Sequence, residues 1–149
     1  MREAFGGAFT IKLMLIFLAI YIAFVAVALN YAKAFRVKNK LIDIIEQSEG
    51  IDNYNDIKEG TVIGDINTYL NSVSYYVNLS NIKNNNADAT LHCYDRGYCI
   101  EEFTGPTDDG VSSKYYKVTT YININFPFFK LNFNIPITGE TRKIERINR

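Results

Sequence analysis

The chain has 149 residues, with 16 basic and 16 acidic side chains and a single histidine, so no excess of positive charge points to nucleic acid. Once a membrane-length segment is set aside, about 100 residues remain, enough for one small domain and too few for two. Asn and Ile are plentiful and Trp is absent, which we read as the codon bias of an AT-rich genome rather than a trace of function.

The run 13–29, LMLIFLAIYIAFVAVAL, contains no charge and no strong polar group, and Phe9, Thr10, Ile11 and Lys12 extend it toward the N-terminus. A helix rises about 1.5 Å per residue, and a hydrocarbon core of about 30 Å needs about 20 apolar residues to cross. The run is apolar on every side, so as a helix it has no face suited to water. Lys12 stands near its N-terminal edge, where a long stem lies in hydrocarbon and the amine reaches the headgroups. A buried core helix is the bland alternative, but the chain is too short to wrap one. Secretory signals have apolar regions of about 7–15 residues, shorter than this one. The Ala-x-Ala spacings at Ala26 to Ala28 and Ala32 to Ala34 lie within an unbroken helical pattern. Residues 8–29 therefore read as a retained transmembrane helix.

The helical pattern continues past the membrane run. Tyr31, Ala34, Phe35, Val37, Leu41, Ile42, Ile44 and Ile45 recur three and four apart, with Lys33, Arg36, Lys38, Lys40, Asp43 and Glu46 between them. No Pro or Gly interrupts 8–49, and Gly50 is placed to stop the helix. The pattern predicts one helix over about 9–48, roughly 60 Å long, whose second half, 30–49, is an amphipathic continuation. Its stripe has two uses: packing on the chain's own domain, the ordinary one, or self-association.

A polar connection follows over 50–62. Ile66, Tyr69, Leu70 and Val73 predict a short helix over 65–73 with Asp65 as its cap. Residues 75–79, YYVNL, read as a short strand and 84–88, NNNAD, as a solvated loop. The segments 89–94 and 98–103 flank Asp95-Arg96-Gly97, a turn whose Gly97 can take positive φ. A hairpin there brings Cys93 and Cys99 within disulfide range, which requires Cα atoms within about 7 Å. The spacing does not fit a CxxC redox pair, and His92 with two cysteines makes only three zinc ligands. A disulfide is the expectation outside the cell, two free thiols inside it. Residues 105–113, GPTDDGVSS, are dense in turn formers and read as a mobile loop.

The clearest strand signal comes last. Over 114–126 one face reads Tyr116, Val118, Thr120, Ile122, Ile124, Phe126, and the other Tyr115, Lys117, Thr119, Tyr121, Asn123, Asn125. Over 129–137 the inward set is Phe129, Leu131, Phe133, Ile135 and Ile137. Period-two alternation marks a sheet with one buried and one wet face. Pro127 is the expected corner, Pro136 marks an edge or strand end, Gly139 a turn, and 141–149 a basic tail. The predicted fold is α+β: a long N-terminal helix packed on a small antiparallel sheet domain, 50–149, with the stripe of 31–45 covering the sheet.

Catalytic motifs are missing. There is one histidine, no Gly-rich phosphate loop, no HExxH and no GxSxG. Glu101 and Glu102 are neighbours on a strand and point to opposite faces, so they make no dyad. Asp108, Asp109 and Asp95 fall short of a calcium loop, and no cofactor or metal is expected. Asn78-Leu79-Ser80 matches the glycosylation pattern, one that is common by chance.

This layout, a short N-terminus, a long half-apolar helix and a small antiparallel sheet domain, resembles the type IV pilin-like superfamily, and in particular the TadE-like pseudopilins of tight-adherence systems. In that family a short basic leader ends in Gly just before the apolar helix. Residues 1–7, MREAFGG, resemble such a leader, and Ala8-Phe9-Thr10-Ile11 the mature start. The resemblance implies cleavage between Gly7 and Ala8 by a prepilin peptidase, or else after Gly6, with like or sibling pilin subunits as partners. Family members carry Glu at the fifth mature position, where it meets a neighbour's N-terminal amine; this chain has Lys12 there, of opposite charge. A tip or accessory subunit, or an uncleaved membrane protein, fits that departure.

Lys33, Arg36, Lys38 and Lys40 follow the span, and the positive-inside rule alone would put the domain in the cytoplasm. The leader-like start, the cysteine hairpin and the one-sided sheet favour an extracytoplasmic domain. The expectation is thus a non-enzymatic single-pass surface protein acting in pilus assembly, adhesion or secretion. The alternative is a membrane-anchored ligand-binding or sensor module. Neighbouring genes for a prepilin peptidase and a secretion ATPase would favour the first.

Overall fold

The unbroken helical pattern folds as α1, Arg2–Gln47. The computed structural model describes residues 2–79, 90–106, 112–126 and 131–145. After α1 come α2, Val62–Ser72, and five strands: β1, Leu91–Tyr94; β2, Tyr98–Pro106; β3, Ser112–Phe126; β4, Leu131–Glu140; and β5, Ile144–Glu145. The strands form one antiparallel sheet in the order β1-β2-β3-β4, with β5 also pairing β3. The fold is α+β, as expected. The chain divides into two compact units, Met1–Lys33 and Ala34–Arg149.

In the first unit the apolar side chains stand bare: Phe9, Met14, Phe17, Tyr21 and Phe24 are between 66% and 73% exposed. By length and composition the helical segment Gly7–Gln47 is able to cross a membrane.

The second unit is built on the stripe of α1. Ala34, Val37, Leu41 and Ile45, spaced three and four apart, are at most 1% exposed, whereas Phe35 lies outside the buried strip. The sheet face they meet is the one read from alternation, with Tyr116, Val118, Thr120, Ile122 and Ile124 all buried. Two contacts give the direction of the packing. Thr120 Oγ1 donates to the Ala34 carbonyl at 3.2 Å, and the Ile51 amide donates to the Tyr116 hydroxyl at 3.2 Å. The helix and β3 therefore run in opposite senses. Helix α1 ends with Glu49 at φ 55 and Gly50 at φ 105, the Gly50 amide reaching back to the Ile45 carbonyl at 3.0 Å. A Cβ on Gly50 would stand 2.7 Å from the Tyr116 hydroxyl, so that position has no room for a side chain.

Several expectations are corrected. Helix α2 begins earlier than its apolar spacing suggests. Thr61 is the cap, its side chain accepting from the Gly64 amide, and Asp65 lies in the first turn, accepting from the Gly60 amide at 3.3 Å. A carboxylate in that turn also suits the positive end of the helix dipole. Residues 75–79 keep the strand-like burial alternation but join no ladder. The Val77 amide donates to the Arg96 carbonyl at 3.2 Å instead. Gly139 is a strand residue opposite Val118, not a turn. A Cβ there would meet Lys38 and Ile42 of α1 at 2.9 Å, so glycine serves the crossing of helix over sheet. The tail is not all tail, since Ile144–Glu145 pair with Ser113 and Lys114.

In β4 the inward set divides. Ile137, opposite Thr120, is 8% exposed, but Ile135 is 43% and Phe133 50% exposed. The side chains of Phe126, Phe129 and Leu131, the corner at Pro127, the loop 84–88 and Asp108, Asp109 and Gly110 lie outside the described residues. Pro136 sits on an edge strand, as its lack of an N–H suggests. Its partner Tyr121 turns its amide and carbonyl to the Tyr75 hydroxyl (3.0 and 2.6 Å), away from β4. Pro136 consequently faces outward as well, where a free N–H would invite another strand.

Candidate functional site

The hairpin forms where its turn residues place it. The Gly97 amide donates to the Tyr94 carbonyl at 3.1 Å, and Gly97 has φ 95. The ladder sets Cys93 directly opposite Cys99 with Cα atoms 4.1 Å apart, and the two sulfurs are bonded. Both thiols are thereby used, so neither is a zinc ligand. A Cβ on Gly97 would stand 2.6 Å from the Val77 Cβ, which shows how tightly the turn closes on 75–79.

Around the hairpin lies a network of tyrosines. The Tyr54 ring stacks on His92 at 3.8 Å, its hydroxyl donates to Glu102, and its carbonyl accepts from the Tyr94 hydroxyl at 2.9 Å. Tyr94 in turn stacks on Tyr98 at 4.6 Å. Tyr54 thus ties the connection after α1 to the first two strands. Burial alone would raise the Glu102 carboxyl, but hydrogen bonds from Lys114, at 2.7 Å, and Tyr54 outweigh it and hold its pKa below the ordinary value. Burial first, and then the Glu102 charge, pushes the Tyr54 hydroxyl far up. The pair is thus a carboxylate accepting from a hydroxyl that stays protonated. Glu101 faces the other way and reaches Lys117 at 3.8 Å, so the two carboxylates work apart.

Tyr75 has a second such role. Its hydroxyl caps the backbone of Tyr121 just beyond the last pair of β2 with β3, and also donates to the Gly97 carbonyl at 3.2 Å. Nothing local in the sequence marks these hydroxyls, because each one's partner lies 22 to 48 residues away. A shallow cleft of about 390 Å³ opens beside this region, lined by Ser48, Asp52, Asn53, Asp56 and Thr61 among others. Among the described residues no three His, Cys, Asp or Glu side chains converge as a metal set.

Gly7, Ala8 and Lys12 are exposed residues of α1 in the first unit, and the two cysteines belong to the second. Comparison of the chain with family models, with curated proteins and with solved structures finds no match.

Proposed function

We propose that this chain is a non-enzymatic, single-pass membrane protein of pilin-like design, a minor or accessory subunit of a pilus or secretion assembly, with its sheet domain outside the cytoplasm. The observation that carries the reading is the double character of α1. Its first part is a bare apolar helix of membrane length, and its second part supplies the buried stripe of an antiparallel sheet domain. The Cys93–Cys99 bond supports an oxidising compartment for the domain. On this reading a prepilin peptidase cuts between Gly7 and Ala8, and Lys12 then stands at the fifth mature position. A lysine there repels a neighbouring amine where a carboxylate would attract it, which suits a subunit that ends or decorates an assembly. The test is intact mass and N-terminal sequencing of the protein from its own host's membranes after alkaline carbonate extraction. The expected result is a carbonate-resistant chain beginning at Ala8. A carbonate-resistant chain that keeps residues 1–7 overturns the pilin-like part alone, and loss to the supernatant overturns the anchor. The cleft beside Asp52 and Asp56 favours the second reading, an anchored ligand-binding module; a processed N-terminus counts against it.

A further inference from the structure

The bond between Cys93 and Cys99 runs across the strands rather than along them. The two residues stand directly opposite each other in the ladder of β1 with β2, and Cys99 pairs in turn with Thr119 of β3. Side chains alternate along a strand, so the bond shares a face with Thr119 and Tyr121. That face is turned away from Thr120 and the stripe of α1 that Thr120 meets.

The two sulfurs differ in what lies beyond them. Among the described residues no strand pairs with the far side of β1, so the line of the bond beyond Cys93 leads off the edge of the sheet. Beyond Cys99 it leads over β3, where the Tyr121 hydroxyl stands 3.9 Å from Cys99 Sγ. Exposure follows the same order: Cys93 is partly exposed, whereas Cys99 is 2% exposed. A thiolate attacks one sulfur from the side opposite the bond that breaks, and the rate depends on access and on how well the departing sulfur carries charge. Attack on Cys93 comes from beyond the sheet edge, while attack on Cys99 would have to pass the Tyr121 side chain. The hydroxyl that obstructs one route assists the other. A bonded sulfur has no hydrogen, so Tyr121 is the donor, and burial raises its pKa and keeps its proton in place. Negative charge developing on Cys99 Sγ therefore meets a donor already beside it.

We propose that Cys93–Cys99 is a thiol–disulfide exchange site of the folded domain, entered at Cys93, with Cys99 as the leaving group and Tyr121 as its hydrogen-bond donor. The partner is a dithiol. Its first thiolate bonds to Cys93 Sγ as the bond to Cys99 breaks, and the electron pair of that bond stays on Cys99 Sγ. The second thiolate then attacks the dithiol's own sulfur in the mixed bond and releases Cys93. The protons that the dithiol gives up end on the two cysteine sulfurs. The dithiol is oxidised by two electrons and the cysteine pair reduced, and the same steps in reverse install the bond.

The test exposes full-length chain in detergent micelles, without denaturant, to reduced glutathione, with acid quenching at early times and peptide mass mapping. The expected first adduct is glutathione on Cys93, at least about tenfold over Cys99. Reduction by dithiothreitol should rise in proportion to its concentration and outrun global unfolding, measured by hydrogen exchange. Tyr121→Phe keeps the ring and should slow that reduction about threefold, while Tyr115→Phe, on the same face, leaves it unchanged. A variant that merely weakened the fold would be reduced faster, so the sign separates a leaving-group role from a structural one. Glutathione on Cys99, or equal adducts on both cysteines, overturns the proposal. So does reduction that levels off at the unfolding rate, or a folded Tyr121→Phe chain reduced as fast as the parent. The adduct map needs no variant, and it decides the matter alone if Tyr121→Phe does not fold.

Discussion

Glu102 is the carboxylate whose ionisation the fold depends on most visibly. Its pKa lies below the value of about 4.5 expected in the unfolded chain, so its contribution to stability is complete above that pH. The contribution is lost as pH falls through the lower folded value. Thermal melts of Glu102→Gln should therefore show a lower midpoint than the parent at pH 7, with the gap narrowing as the pH falls below about 4.5. The tyrosines act at the opposite extreme. Burial pushes Tyr75 and Tyr94 from 10.0 up to about 12, and Tyr98 further still. Their neutral forms stabilise the fold fully below about pH 10, and that contribution disappears as pH rises through 12. Tyrosinate absorbance should contain a cooperative rise that coincides with loss of circular dichroism between those limits. Gly97 is the third sensitive residue. Gly97→Ala forces a side chain into positive φ and against Val77, and should cost about 1–3 kcal/mol by denaturant titration.

Among the elements, the first hairpin has the least local support. Strand β1 has four residues, and a short isolated hairpin is marginal in water. The Cys93–Cys99 bond closes a small loop across it, and in the chain-entropy model such a loop contributes about 2 kcal/mol. Cys93→Ser with Cys99→Ser should lower the denaturation midpoint by about that amount without unfolding the sheet. Native-state hydrogen exchange should then show loss of protection concentrated in β1 and the 95–97 turn. Strand β3 should stay protected, because it is paired along both edges and covered by Val37 and Leu41, among the most buried side chains of the stripe. Strand β4 is guarded differently. Its open edge carries Pro136, which denies another strand a hydrogen bond there and lets a long edge strand remain single.

The whole molecule poses a question of sidedness. Four basic residues, Lys33, Arg36, Lys38 and Lys40, follow the apolar run and pull toward a cytoplasmic domain. Lys38, however, is only 8% exposed, lying over the Phe35 ring at 4.3 Å, and Lys40 pairs with Asp43 at 2.7 Å. Part of that charge is thus built into the domain, which weakens it as a topological signal. The proposed extracytoplasmic placement predicts that Cys93 and Cys99 resist alkylation in cells until reduced. Once reduced, they should react with a membrane-impermeant reagent on intact cells in which the outer barrier alone is opened. Free thiols that the reagent reaches only after lysis would reverse the orientation.

Those features legible in the sequence are the ones made by neighbours along the chain. The helix follows from an uninterrupted three-and-four spacing, strands β3 and β4 from period-two alternation, and the cysteine hairpin from Asp95-Arg96-Gly97. Local sterics and the hydrophobic period decide each of these before any packing occurs. Packing decided the rest. Period alone marks Phe35 and Val37 as equally apolar, but Val37 lies against the sheet and Phe35 does not. Gly139 looks like a turn until α1 crosses it, and residues 75–79 look like a strand but join no ladder, the Val77 amide going to the Arg96 carbonyl. Likewise, the Tyr54, Glu102 and Lys114 network joins residues brought together only when the connection after α1 folds over the first strands. A backbone hydrogen bond or a buried hydroxyl needs a partner at a definite distance, and that partner's place in the chain is not written in the residues around it.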